Sequence, residues 1–270
     1  YYDDLCLDVE VRPAFSAPNY PLIADSDFKF ASAGSFSELV SFALVNDADL
    51  VALSVGGRMP IEVLIAKPGT AETLEDFADT TIGVKRRLPS GVAAMLAGAG
   101  LVEQRDYTTV LVDGFDPLAH IAIDAIDAFP GYRSFEPGVL DRAGEDFNVF
   151  DPADYDVPGS FGVIYGNDEF VAAHPEVATD FVRATLRGLH DAVADPDAAV
   201  DIAIGLSTAA GNPNYLTEEG ERFRWQTDSE TLRSAVTDDA PLGVPVLELL
   251  QAELDAHAAV GVSRSSAWLR

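Results

Sequence analysis

Lysine is almost missing from this chain: Lys29, Lys67 and Lys85 are the only three in 270 residues. Acidic residues number 45 against 17 basic ones, leaving a formal net charge of −28. So negative a surface repels phosphate backbones and anionic headgroups, which excludes nucleic-acid and membrane-surface binding unless a local basic patch opposes the field. Lys85-Arg86-Arg87 is the one such cluster. Long apolar runs are also lacking. With no window of about 18 apolar residues, no membrane-spanning helix is expected. Residues 1–8 carry three aspartates and no basic, apolar leader, so no secretory signal is visible. A single cysteine, Cys6, cannot close an internal disulfide, and between Leu5 and Leu7 it reads as a small buried filler.

Catalytic signatures are absent as well. The chain has no G-x-S-x-G elbow, P-loop, H-E-x-x-H or C-x-x-C. Its four histidines, His120, His174, His190 and His257, are too widely spaced to make a metal-ligand set, so neither metal nor cofactor is expected. His190 and His257 read as structural or surface residues. Gly98-Ala99-Gly100 falls at a helix end and reads as a C-cap, not as a dinucleotide loop.

What is present is enough for about two domains at roughly 150 residues each, with 48% hydrophobic residues to fill their cores. Alternation predicts a half-buried strand over Leu7–Val11, followed by a Pro-rich turn and a short strand over Phe28–Ala31. Ser35 and Glu38 form a capping box ahead of a helix whose inner face carries Leu39, Phe42 and Ala43. Leu50–Val55 and Ile61–Ala66 are continuous apolar runs of strand length, read as buried parallel strands. A second block follows: strand Thr81–Val84, helix Gly91–Ala97, strand Thr108–Val112, helix Pro117–Ile123 and strand Ala125–Phe129. A helix opens near Pro137. Phe147–Phe150 and Phe161–Tyr165 are two more strands, and a helix from Pro175 to Asp195 carries the stripe Val182, Leu186, Leu189 and Val193.

Two βα-rich blocks and a helical tail predict two α/β lobes with a ligand cleft between them, in which the sheets are mostly parallel. The expected division is 1–66 for the first part of lobe I, 67–166 for lobe II and 167–270 for the helical return to lobe I. The chain would then cross near Ala66–Gly69 and near Tyr165–Asn167.

Loops at the carboxyl ends of strands are where open α/β sheets bind ligands. Gly34 and Ser35 offer free helix N–H groups to a polar ligand atom, or simply cap a helix. Arg58, after Gly56-Gly57, either brings a cation to a ligand edge or sits in a flexible connection. Lys85-Arg86-Arg87 leads through Ser90-Gly91 into a helix N-terminus and either faces an anion or neutralises nearby carboxylates. Phe115 is a stacking surface or core, and Asp116 reads as an N-cap. In the loop 129–137, Tyr132 and Glu136 have the chemistry to clamp a nitrogen heterocycle, the carboxylate accepting from an amino group; alternatively Glu136 complements a helix start.

Several stretches in this order resemble solute-binding proteins of ABC importers, in the branch related to thiamine-pyrimidine biosynthesis and uptake. They are Tyr2–Val9, Thr81–Val84, Ala125–Pro137, Val149–Tyr155 and His174–Gly188. The resemblance implies a type II periplasmic-binding-protein fold that closes over a small molecule and delivers it to an ABC permease and ATPase. It implies a periplasmic or extracellular location, with the family's first strand and any membrane anchor lying before residue 1; Cys6 lacks the apolar leader of a lipobox cysteine. Tyr132 and Glu136 fall where pyrimidine binders place heterocycle-recognising groups, Ser35 and Ser90 on cleft loops, and Tyr155 within a matching stretch, whereas Phe135 replaces the family's usual asparagine. The implied ligand is a thiamine pyrimidine precursor, with riboflavin or a small anion such as sulfonate or nitrate as alternatives. Related proteins also include a pyrimidine synthase with a cysteine-rich iron motif, which this one-cysteine chain lacks; a ligand-sensing module is a third class.

Overall fold

The computed structural model describes residues 1–12, 16–114, 116–209, 211 and 217–259. Helix α1 (Ser16–Ala24) leads to β1 (Phe30–Ala33), α2 (Phe36–Asn46), β2 (Leu50–Gly57) and β3 (Glu62–Ala66). Then come β4 (Thr81–Val84), α3 (Ser90–Gly98), β5 (Thr108–Leu111), α4 (Pro117–Ile121), β6 (Ala128–Tyr132), α5 (Glu136–Ala143), β7 (Asn148–Phe150) and β8 (Phe161–Asn167). The rest is helical: α6 (Asp168–Ala173), α7 (Pro175–Ala194), α8 (Pro196–Ala209), α9 (Glu218–Ser234) and α10 (Leu247–Ala259). Side-chain caps set several helix starts. Ser35 Oγ accepts from the Glu38 amide at 3.2 Å, Asp116 from Leu118 at 3.0 Å and Asn167 from Phe170 at 3.0 Å.

Two sheets divide the strands. In one, β8 lies between β1 and β2 and is antiparallel to both. The other has the order β5-β4-β6-β3-β7, with β4 parallel to β5 and β6 and β3 antiparallel to β6 and β7. The expected mostly parallel sheets therefore hold only for β5-β4-β6. Leu50–Val55 and Ile61–Ala66 are apolar because they are buried, and burial does not specify strand direction.

Pairing also moves the crossings. Glu62–Ala66 pairs with Ala128–Tyr132 in the second sheet, so the chain leaves the first sheet at residues 58–61, not near Ala66–Gly69. It returns through 156–160, because Phe161–Asn167 already belongs to the first sheet. The first sheet thus takes the chain up to Gly57 and again from Phe161. The crossing segments touch: a Cβ on Gly159 would stand 2.6 Å from the Pro60 nitrogen, closer than any side chain tolerates.

Three local expectations are corrected. Leu7–Val11 forms no strand, since nothing pairs with it among the described residues. Cys6 is exposed, in a left-handed conformation at φ 57°, and is no core filler. The Pro-rich turn is helix α1, which contains Pro21 and holds Tyr20 and Ile23 in the core at 3% and 1% exposure. Apolar burial there offsets the hydrogen bond that a proline removes.

Each sheet has its own core. Leu39, Val40, Val55, Val163 and Tyr165 pack with Leu250 and Leu254 of α10 around the first. Leu64, Phe77, Ile82, Met95 and Leu96 fill the second. Helix α10 also packs against both α2 and α3, so it joins the two halves.

Arg58 is occupied by this framework. Its guanidinium donates to the carbonyls of Ala235, of Ala240 at 2.8 Å and of Pro241 at 2.9 Å, which fastens the first crossing to the 235–244 loop. Beside it, the Gly243 carbonyl accepts from the Val55 amide at 3.1 Å and the Ser54 hydroxyl at 2.8 Å. Arg58→Met is expected to cost roughly 2 kcal/mol, about 4–8 °C in Tm, through lost charged hydrogen bonds. Ligand affinity measured by calorimetry should stay unchanged; a loss of affinity with Tm preserved would return Arg58 to the binding site.

Candidate functional site

Between the halves lies a cleft of about 820 Å³. Strand register places its central pair. Glu62 opens β3 directly opposite Tyr132, the last residue of β6, so both side chains stand on one face of the sheet. Glu136 begins α5, and its Oε2 accepts from the Tyr132 amide at 2.6 Å. Gly131 permits this: a Cβ there would lie 2.9 Å from the Glu136 Cβ. Lys85 follows β4 and brings its Nζ to 4.0 Å from Glu136 Oε1. From the other half, α2 contributes Glu38, whose carboxylate would lie 2.9 Å from a Cβ on Gly34, and Ser37, whose amide donates to Glu253 of α10 at 2.9 Å.

The cleft gathers carboxyl groups where water is scarce. Burial, reinforced by Glu38 and Glu253, pushes the Glu62 carboxyl up to about 7. Burial also raises Glu136, against the pull of the Tyr132 amide and Lys85. Glu253 is fully buried and raised for the same reason, while the neighbouring Ser160 and Ser37 hydroxyls draw it partly back. The Tyr132 hydroxyl is raised by burial and then by Glu62, Glu38 and Glu136. Burial holds the His257 imidazole down at about 4, with Arg87 adding to the effect. A carboxyl that titrates near neutrality can accept a hydrogen bond or donate one.

Of the expected site residues, Ser35, Ser90, Gly91, Tyr132 and Glu136 line the cleft, with Lys85, Arg86 and Arg87. Gly34 lines an adjoining cavity of about 430 Å³, and Tyr132 lines both. Arg58 serves the framework as described. Tyr155 is 44% exposed on the short turn Pro152–Tyr155 and lines neither cavity. Phe115 lies outside the described residues.

Glu38, Glu62, Glu253 and His257 line the cleft without having been expected there from sequence, and His257, read as structural or surface, is buried. Glu38 carried a capping explanation, and Glu62 was hidden at the edge of an apolar run. Glu253 and His257 did leave a signal: they share a helical stripe with Leu250 and Leu254, where polar groups are out of place.

A family model described as NMT1/THI5 like matches residues 1–199. The chain belongs to the NMT1/THI5-like family. Among curated relatives it is 32% identical over 149 residues to riboflavin-binding protein RibY of Chloroflexus aurantiacus, covering 54% of this chain and 42% of that protein. It is 28% identical over 229 residues to the formylaminopyrimidine-binding protein of Halalkalibacterium halodurans, covering 82% of this chain and 68% of that one. The chain thus spans between about two fifths and two thirds of these relatives' lengths. Among solved structures, the periplasmic aliphatic sulphonate binding protein SsuA from Escherichia coli superposes with a TM-score of 0.65 at 15% identity, over 93% of this chain and 81% of that one. This NMT1/THI5-like chain has the α/β periplasmic-binding-protein fold.

Glu62 supplies a pH test. Its folded value lies above the roughly 4.3 of a free glutamate, so the folded state holds the proton more tightly. The resulting stabilisation is complete at low pH and is lost as pH rises from about 4.3 to about 7. Glu62→Gln is expected to raise Tm at about pH 8, by an amount on the order of 2 kcal/mol, and to lose most of that gain at about pH 5. Thermal unfolding of both proteins at both values checks this; parallel pH profiles would show that Glu62 titrates normally.

Proposed function

We propose that this protein is the extracytoplasmic solute-binding component of an ABC importer, and that it captures a small aminopyrimidine-type heterocycle. The observation that carries the reading is the Glu62–Tyr132 pair facing the cleft between the two sheets. An amino group beside a ring nitrogen presents one donor and one acceptor on adjacent atoms. A carboxyl near neutrality matches that edge through one shared proton: one oxygen accepts from the amino group while the other meets the ring nitrogen across a proton carried by the carboxyl or by the ring. The Tyr132 ring supplies an aromatic face and Glu136 a second acceptor.

The relative that binds formylaminopyrimidine supports this choice. Sulfonate, named for the structural neighbour, fits less well, because Glu38, Glu62, Glu136 and Glu253 outnumber Lys85, Arg86 and Arg87 on the cleft walls. Riboflavin is a second reading, favoured by the relative named for it and by a cleft of about 820 Å³. Binding needs no covalent step. A ligand that touches both halves stabilises the closed form by its differential affinity, and the closed form is what a permease and its ATPase recognise.

A thermal-shift screen with an aminopyrimidine, riboflavin, taurine and nitrate tests the assignment. An aminopyrimidine at 100 times its Kd should add about 2.7 kcal/mol, roughly 5–10 °C. Glu62→Ala and Glu136→Gln should each weaken that binding by roughly 1.5–3 kcal/mol. A shift with riboflavin alone selects the second reading, and a shift with taurine or nitrate alone overturns both.

A further inference from the structure

The NMT1/THI5-like match ends at residue 199, yet the cleft has a wall beyond it. Glu253 and His257 stand one helical turn apart on α10, so both project from one face. Opposite them α2 presents Ser37 and Ser41, also a turn apart. All four residues line the cleft.

Their hydrogen bonding is incomplete in a way that points to a ligand. Glu253 is fully buried; Oε1 accepts from the Ser37 amide at 2.9 Å, while Oε2 has no partner. His257 is 3% exposed, and neither Nδ1 nor Nε2 has a partner. Ser41 is 6% exposed with an unpartnered Oγ. An unmet buried polar group costs about 1–3 kcal/mol, and four such atoms on one facing helix pair make a concentrated cost. Folding alone gains nothing from it, since a leucine at 257 would suit the stripe with Leu250 and Leu254 better.

We propose that the α10 face carrying Glu253 and His257, together with Ser41, is a specificity subsite that hydrogen-bonds an uncharged polar substituent, a hydroxyl or an amide, on the ligand. The donor set decides the class. Burial keeps the imidazole neutral, so it offers one N–H and one bare nitrogen; the serine hydroxyl both donates and accepts. Such groups complement a substituent that also donates and accepts. A phosphate or carboxylate would meet Glu253 at close range and pay for desolvation without a buried cation to offset it. The inference rests on the heterocycle reading above: the ring lies against Glu62 and Tyr132, and its substituent reaches α10.

Calorimetric titration of three compounds tests it: an aminopyrimidine bearing a hydroxymethyl group, its methyl analogue, and the phosphate ester of the first. The wild-type protein should prefer the hydroxymethyl compound over the methyl one by about ten-fold or more. In His257→Leu that preference should fall below about three-fold with methyl-analogue affinity unchanged, and Ser41→Ala, the gentler variant, should fall in between. Both variants should melt at or above the wild-type temperature, because each removes an unmet polar group. A preference that persists in both variants, or is absent from the wild type, overturns the subsite and leaves the heterocycle reading standing. Tighter binding of the phosphate ester, lost in Arg87→Gln, overturns the uncharged class in favour of an anion site. If the wild type binds none of the three, the heterocycle reading falls and the subsite assignment falls with it.

Discussion

Everything in the cleft takes its place from the contact between two extended segments, 58–61 and 156–160, which carry the chain from one sheet to the other and back. Pro60 lies so close to Gly159 that no side chain fits between them, and a Cβ added to Gly91 at the start of α3 would lie 3.3 Å from the same proline. Arg133 strengthens the junction. Its amide donates to the Ile61 carbonyl at 2.9 Å, and its guanidinium grips both Asp151 oxygens at 2.5 and 2.6 Å. Glu62 and Tyr132 are the next residues along these same strands, so this junction also sets the position of the two groups proposed to meet a ligand.

The second constraint is electrostatic. A protein of charge −28 keeps most of its carboxylates in water, where each costs little. In the cleft it instead withdraws Glu136 and Glu253 from water and sets Glu62 near Glu38 and Glu253, and the proton affinity of Glu62, Glu136 and Glu253 rises in response. On the proposed reading, stability given up there is recovered when a ligand supplies the missing donors, the trade expected of a binding protein. In the framework around it the Arg58 Nη atoms, the Gly243 carbonyl and several helix caps are engaged.

Helix α10 connects these two themes. It contributes Leu250 and Leu254 to the core of the first half, packs on α3 of the second, and presents two polar groups to the space between. On the proposed reading, a segment that touches both halves and the cleft would feel closure, because any change in the angle between the sheets alters its contacts on both sides.

Sequence by itself determined several of the elements and their ends. The Ser35 cap, the Asp116 cap, the run from Pro175 to Ala194 and the short strand Thr81–Val84 depend on residues within a few positions of one another, and local chemistry suffices to place them. It also pointed to Tyr132 and Glu136, because a tyrosine and a carboxylate within one loop form a pattern visible along the chain. Only the tertiary structure decided strand direction, the crossing points and the rest of the cleft. Leu50–Val55 is apolar whichever way its neighbours run, and β3 belongs to the second sheet only because Ala128–Tyr132 pairs with it from more than sixty residues away. Glu38, Glu62 and Glu253 are unremarkable at their places in the sequence; pairing and packing bring them together, and the raised proton affinity of Glu62 and Glu253 exists only in that company.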